Sequence, residues 1–145
     1  MNLSTIIQAK RVVTRDASSK KRAIEIVAGV LSDSPEQTDI AFGSLLGRER
    51  LGSTGLGNGV AIPHGRIKGI DNPIGAFMRV PDGVDFEASD GQPVDLIFAL
   101  LVPADCTEEH LQILAAVAGK FSDDNFTNSV RAAADDAAVH RLITA

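Results

Sequence analysis

The stretch Leu96–Val102 is the longest uninterrupted apolar run in this chain and reads LIFALLV. It is long enough for a strand and far shorter than the roughly 20 residues that a transmembrane helix needs. A strand that is apolar at every position has both faces covered, which is typical of the middle of a sheet enclosed by helices. We therefore predict a central strand over Val94–Val102, ended by Pro103, in a protein that is not an integral membrane protein.

Two helices are predicted in the first third of the chain. The pair Ser18-Ser19 precedes apolar residues spaced three and four apart, which predicts a capped helix that ends near residues 32–34. Pro35 suits the first turn of a second helix, which we expect to continue to about residue 48 or 50.

Three further helices are predicted after the central strand. Thr107 is a candidate N-cap for the first of them, whose first turn contains His110 and whose apolar stripe continues to Phe121. The apolar spacing then predicts two short helices, at about residues 125–134 and 135–143.

Shorter strands are predicted between the two groups of helices. Val60–Ile62 is followed by Pro63, so we expect His64 and Gly65 in a loop. Ile74–Val80 precedes the turn signal Pro81-Asp82-Gly83, and a brief strand follows at Val84–Phe86. This order predicts an α/β sandwich around a small mixed sheet. With 145 residues, of which 44% are hydrophobic, we predict one domain over residues 1–145.

The charge distribution argues against a nucleic-acid partner. The net charge is −5, with +3 in residues 1–72 and −8 in residues 73–145, and Trp and Tyr are absent. Nucleic-acid-binding domains are usually basic and use aromatic side chains to stack bases. The cluster Lys20-Lys21-Arg22 is interpreted as the solvated start of a helix, with a partner-docking patch as the alternative. Residues 1–10 lack the pattern of a signal peptide, so we expect a cytoplasmic location.

A glycine-rich segment lies between Leu51 and Arg66 and reads LGSTGLGNGVAIPHGR. It contains neither G-x-x-x-x-G-K-[ST] nor G-x-G-x-x-G, so we expect no nucleotide cofactor. Such a loop can present backbone N–H groups to an anion. The candidate phosphate-pocket residues are Ser53, Thr54, Gly55, Gly57 and Gly59. A tightly packed connector without a ligand is the alternative.

Arg48, His64 and His110 are the candidate catalytic residues. Imidazole is a nucleophile near neutral pH, because its ordinary pKa of about 6.5 leaves one nitrogen unprotonated. A phosphorylated imidazole carries close to two negative charges, which a guanidinium and a second imidazole can stabilise. His64 lies between Pro63 and a glycine, a setting that leaves one side open to a partner. His140, on a predicted amphipathic helix, is interpreted as a surface residue.

Other uses of these side chains find less support in the sequence. Zinc needs three or four ligands, and neither H-E-x-x-H nor C-x-x-C is present, so we predict no metal site. The lone cysteine, Cys106, lies near Asp105 and Glu108 rather than in an electropositive setting, and is interpreted as unreactive. There is no G-x-S-x-G sequence, which argues against a serine hydrolase.

The chain resembles the IIA components of the bacterial phosphotransferase system (PTS), most of all the nitrogen-regulatory branch of the fructose/mannitol superfamily. The resemblance covers nearly the whole chain. It rests on LLGRERLGSTGLGNGVAIPHGR at residues 45–66, DGQPVDLIFALLVPA at 90–104 and EHLQILA at 109–115. The I-P-H-G sequence in its glycine-rich context is the most specific part. Gly47 departs from the arginine motif and is a poor residue for a helix interior.

The resemblance implies the PTS IIA type-2 fold, a mixed five-stranded sheet flanked by helices. It implies that His64 accepts a phosphoryl group from an HPr-like phosphohistidine carrier, with Arg48 and His110 around that group, and that no cofactor is required. It also favours a regulator that binds targets such as a transporter, kinase or channel according to its phosphorylation state. Two alternatives stay open: a sugar-specific IIA protein that passes phosphate to a IIB domain, and a protein-binding regulator without catalysis.

Overall fold

A computed structural model describes residues 3–106 and 108–145, without the side chains of residues 109–111. A short 3-10 turn at Leu3–Thr5 opens the described chain. The strands are β1 (Ile7–Thr14), β2 (Gly55–Gly57), β3 (Val60–Ala61), β4 (His64–Ile67), β5 (Ile74–Val84) and β6 (Val94–Pro103). The helices are α1 (Lys20–Val30), α2 (Pro35–Glu49), α3 (Glu108–Phe121), α4 (Asp124–Ala132) and α5 (Asp136–Thr144).

Strand β6 is the centre of the sheet, as its apolar sequence predicts. It pairs with β5 in antiparallel orientation and with both β3 and β4 in parallel orientation. The sheet has the order β1-β5-β6-β3-β2, with β4 also paired to β6. The α/β prediction is therefore confirmed, and the described sheet is mixed, with six strands rather than about five.

Successive residues of β6 point into two different cores because side chains alternate across a strand. Ile97, Ala99 and Leu101 face a core closed by α1 and α2. Leu96, Phe98 and Leu100 face a second core closed by α3, α4 and α5. The sheet is thus the middle of three layers, and none of the helices in the described part of the chain is long and apolar enough to cross a membrane.

The helix starts follow the capping residues of the sequence. Ser19 accepts a hydrogen bond from the backbone N–H of Arg22 at the start of α1, and Ser34 does the same for α2, whose first residue is Pro35. The predicted helices at 125–134 and 135–143 are present as α4 and α5, with ends shifted by one or two residues. The candidate cap Thr107 lies outside the described residues.

The strands differ from the prediction at four places, one of which is β2 (Gly55–Gly57), which pairs with β3 and was not predicted in the glycine-rich segment. Strand β1 was missed, since its residues, IQAKRVVT, do not alternate cleanly. His64 and Gly65 do not lie in a loop: they begin β4, where they pair with Leu100 and Leu101. Strand β5 does not end at Val80, because the chain passes through Pro81-Asp82-Gly83 with a shift of register and pairs again at Val84.

Candidate functional site

His64 is the first residue of β4 and is held by the strand beside it. Its Cα pairs with Leu100 of β6, and the carbonyl of Pro63 accepts a hydrogen bond of 3.0 Å from the Leu100 N–H. The ring nitrogen Nδ1 lies 2.8 Å from the carbonyl oxygen of Ile62. A carbonyl can only accept, so Nδ1 carries the proton. A neutral His64 therefore has its lone pair on Nε2.

The half-buried His64 ring lies in a cavity of about 240 Å³. The cavity is enclosed by the end of α2, the segment before β2, the residues around β4 and helix α3. It is lined by Arg48, Ser53, Thr54, Gly55, Leu56, Ile62, His64, Leu114 and Ala118. The structure thus brings together two of the three candidate catalytic residues and three of the five candidate phosphate-pocket residues.

Arg48 lies in the last turn of α2 and reaches the same cavity. Its Nη1 donates a hydrogen bond of 2.9 Å to the carbonyl oxygen of Gly52. Gly47 does not end the helix, which continues to Glu49. A guanidinium held at the cavity wall provides a positive charge for a bound anion.

The electrostatic surroundings favour a neutral His64. Burial lowers the pKa of its imidazole below the usual 6.5, and the positive charge of Arg48 lowers it further. The hydrogen bond to Ile62 and the negative charge of Glu49 oppose this shift without cancelling it. An unprotonated ring beside a cation is the state that can attack an electrophile and stabilise an anionic product.

The candidate phosphate-pocket residues differ in whether they line the cavity: Ser53, Thr54 and Gly55 do, and the first two have hydrogen-bond partners within the protein. The Ser53 hydroxyl donates to the carbonyl of Phe86 and accepts from the N–H of Gly55, while the hydroxyl and N–H of Thr54 both donate to Glu49. Gly57 and Gly59 are absent from the described lining. Gly59 has a φ of +83°, in the left-handed region that favours glycine, and an added Cβ would lie 2.6 Å from an Asp95 carboxylate oxygen and 2.8 Å from the Arg131 guanidinium.

His110 belongs to α3, and Leu114 and Ala118 of that helix line the cavity. The side chain of His110 lies outside the described residues. Its part in the site stays a prediction.

The comparisons with known proteins identify the family. The profile of the "Phosphoenolpyruvate-dependent sugar phosphotransferase system, EIIA 2" family matches residues 5–145. The chain belongs to this family. It is 40% identical to the "Nitrogen regulatory protein" of Escherichia coli K12, over 99% of this chain and 93% of that protein. A fructose-specific EIIA component of Haloferax volcanii is 37% identical over 80% of this chain and 77% of that protein.

Solved structures agree with this assignment. The nitrogen regulatory protein IIA-Ntr from Neisseria meningitidis has a TM-score of 0.90 and 42% identity, and the match covers 97% of each chain. IIA mannitol from E. coli has a TM-score of 0.74 at 22% identity, covering 94% of this chain and 97% of that chain, which shows the shared fold alone. The chain is therefore a PTS IIA protein of the nitrogen-related type, and its family carries out phosphotransfer.

Sequence reasoning missed one charged side chain of this IIA protein. Glu49 is 5% exposed and forms an ion pair of 2.9 Å with Lys20. The prediction of a solvated Lys20 is thus wrong, because its ammonium forms an ion pair with the buried carboxylate of Glu49. Lys21 and Arg22 are exposed, as predicted. The one signal in the sequence is a carboxylate at the C-terminal end of a helix, where the helix dipole disfavours it.

The structure also places His140 and Cys106, two side chains that the sequence interpretation left outside the site. His140 is half-buried rather than on the surface, and its Nε2 lies 3.0 Å from the carbonyl oxygen of Ile7, because α5 packs against the start of β1. Cys106 is half-buried. Among the described side chains, no group of three or more His, Cys, Asp and Glu could hold a metal ion.

Proposed function

We propose that this IIA protein accepts a phosphoryl group on Nε2 of His64 from the phosphohistidine of an HPr-like carrier protein. One observation carries the proposal: the Nδ1 proton of His64 is committed to the Ile62 carbonyl while the ring lies in a cavity that Arg48 also lines. This fixes the tautomer that a phosphoryl acceptor needs.

The transfer is an in-line displacement at phosphorus. The Nε2 lone pair of His64 forms the new N–P bond as the N–P bond of the donor breaks, and the donor nitrogen keeps the electron pair. The Nδ1 proton of His64 stays on Nδ1. The reaction therefore requires neither a nucleotide nor a metal, and its main demand is stabilisation of the charge on the phosphoryl oxygens.

Arg48 and His110 are proposed to stabilise that charge. The residues Ser53, Thr54, Gly55, Gly57 and Gly59 remain the proposed phosphate pocket. The hydroxyls of Ser53 and Thr54 would have to exchange their present partners to reach a phosphoryl oxygen. Leu51 and Leu56 are 85% and 46% exposed and provide apolar surface near the cavity for the donor protein.

The similarity to nitrogen regulatory proteins favours a regulator as the output of this site. We propose that phosphorylation changes the charge of the cavity face and thereby its affinity for a target protein such as a transporter, kinase or channel. The proposal includes a cytoplasmic location and a single domain over residues 1–145. Transfer to a sugar-permease IIB domain at a useful rate would instead favour the sugar-specific alternative.

The test is phosphorylation of the protein by an HPr-like carrier supplied with phosphoenolpyruvate and the general PTS enzyme. We expect label that is lost in acid and stable in alkali, which is typical of phosphohistidine. His64→Ala should abolish it. The matched control is His140→Ala, which removes a half-buried histidine outside the cavity and should leave the label. Full labelling of His64→Ala would reject the assignment.

A further inference from the structure

Glu49 is a buried carboxylate beside the site for which the proposed chemistry has no use. Its side chain is 2% exposed and belongs to the last residue of α2. Removing a carboxylate from water is costly unless hydrogen bonds and an opposite charge compensate it. At the C-terminal end of a helix it also meets the negative end of the helix dipole. The stability of α2 therefore does not explain its position.

Two residues from different parts of the chain compensate this carboxylate. The ammonium of Lys20, at the start of α1, lies 2.9 Å from one oxygen. The backbone N–H of Thr54 lies 3.1 and 3.2 Å from the two oxygens, and the Thr54 hydroxyl donates to one of them. Glu49 thus fixes the position of Thr54 relative to α1 and α2.

A continuous series of hydrogen bonds leads from Thr54 to the ring of His64. The carbonyl of Thr54 accepts from the N–H of Ile62 at 3.1 Å. The carbonyl of Ile62 accepts from Nδ1 of His64 at 2.8 Å. A shift of Thr54 would therefore displace Ile62, whose carbonyl accepts the hydrogen bond that fixes the tautomer and orientation of the His64 imidazole.

Arg48 is held by the same short segment. Its guanidinium donates to the carbonyl of Gly52, two residues before Thr54. The charge of Glu49 is taken by Lys20, and among the described side chains no carboxylate lies within ion-pair distance of Arg48. The positive charge of Arg48 therefore remains available to an anion in the cavity.

We propose that Glu49 is a positioning residue for phosphoryl transfer, which acts through Thr54 on both His64 and Arg48. It does not touch the phosphoryl group. It fixes the segment from which the Nδ1 bond of His64 and the anchor of Arg48 are built, and Lys20 neutralises its charge. This inference rests on the proposed function, because it gives Glu49 a part in the transfer to His64.

The test measures the tautomer of His64 and the rate of phosphoryl uptake in Glu49→Ala. Nitrogen-15 chemical shifts of the imidazole should show the Nδ1–H tautomer in the original protein and a mixture of tautomers in the variant. The initial rate of uptake should fall about tenfold or more, since small displacements of reacting groups are costly. The matched control is Glu25→Ala, which removes an exposed carboxylate paired with Arg22 and should leave both measurements unchanged.

A second pair of variants covers the case in which Glu49→Ala does not fold. Thr54→Val removes the hydroxyl that donates to Glu49, and Thr54→Ser keeps it. We expect Thr54→Val to lose uptake rate severalfold and to give a mixture of His64 tautomers, and Thr54→Ser to recover at least half of the lost rate together with the Nδ1–H tautomer. A purely steric role of the threonine would give the opposite order, because valine is the closer match in shape.

The outcomes separate the two proposals. If the original protein takes up no label, the proposed function fails, and the role of Glu49 fails with it. If the original protein is labelled on His64, but folded Glu49→Ala keeps the full rate and the Nδ1–H tautomer, only the role of Glu49 fails. Equal rates in Thr54→Val and Thr54→Ser would also overturn it.

Discussion

At His64, neighbouring groups act in opposite directions on one imidazole. Burial and the charge of Arg48 lower its pKa, whereas the Ile62 carbonyl and Glu49 raise it, and the lowering effects are larger. The consequence is chemical, because a lowered pKa keeps the Nε2 lone pair available in mildly acidic solution. The same arrangement places a cation, the guanidinium of Arg48, on the wall of the cavity that holds the ring.

We therefore expect His64 to titrate below pH 6.5, so that more than half of the imidazole rings are neutral at that pH. Its capacity to accept a phosphoryl group should fall only as the pH falls through this lowered pKa. Arg48→Met removes a positive charge and should raise the pKa of His64. An NMR titration of the ring carbons measures both values. A pKa at or above 6.5 in the original protein, or a downward shift in Arg48→Met, would contradict the prediction.

Single residues differ in how far the sequence reveals them. His64 and Arg48 could be predicted as neighbours because they flank the glycine-rich run that begins at Gly52, and they do line one cavity. Glu49 could not, since its partners Lys20 and Thr54 meet it only after α1 and α2 have packed together. A buried ion pair of this kind leaves no periodic pattern in the sequence.

Among the elements, α2 and β4 together determine the geometry of the site. They meet at Ser44 and Gly65, where an added Cβ on the glycine would lie 2.1 Å from the serine Oγ and 3.1 Å from its backbone carbonyl carbon. The Ser44 hydroxyl also donates to the carbonyl of Arg66 at 2.9 Å. Glycine at position 65 therefore allows the helix that carries Arg48 to lie directly against the strand that begins with His64.

The same substitution should have opposite effects at two glycines near this contact. Gly65→Ala forces α2 and β4 apart and should lower the free energy of unfolding by about 1–3 kcal/mol. Gly47→Ala adds a methyl group where nothing lies within 4 Å and improves a helix interior, so it should raise that free energy by about 0.5–1 kcal/mol. Urea unfolding measures both. Equal changes at the two positions would argue against the close contact between α2 and β4 as the cause.

Elements with strong local signals could be predicted, and those specified by pairing could not. The caps of α1 and α2 and the apolar run of β6 are local features. Strand β4 has only four residues, two of them polar, and exists because β6 offers an edge beside it. The sequence of β1 also fails to indicate a strand, because three consecutive exposed residues, at positions 8–10, interrupt the alternation of buried and exposed positions.

In the molecule as a whole, Arg79 joins the sheet to the helical layer that contains α4 and α5. From β5, its guanidinium donates to the Thr14 hydroxyl of β1 at 2.9 Å and lies 3.6 Å from the Asp136 carboxylate of α5. It also donates to the carbonyls of Val130 and Ala133, at 3.2 and 2.8 Å, where α4 ends. The mostly buried side chain of Arg79 thus binds groups of β1, of the end of α4 and of α5.

Arg79→Met should therefore destabilise the whole fold while leaving the site intact. It keeps much of the side-chain volume but removes the Arg79 donor from the Ala133 carbonyl and leaves the Val130 carbonyl with the Ala133 N–H alone. This should lower the free energy of unfolding by about 2–3 kcal/mol. Arg22→Met, which breaks an exposed pair with Glu25, should change the free energy of unfolding by less than about 1 kcal/mol.

The contacts of Arg79 lie away from the cavity of His64. Arg79 pairs with Leu96 and His64 pairs with Leu100; these two residues of β6 are four positions apart, which is roughly 13 Å along the sheet. The rate of phosphoryl uptake at a temperature where Arg79→Met is folded should equal that of the original protein, and a reduced rate would show that this contact also shapes the cavity.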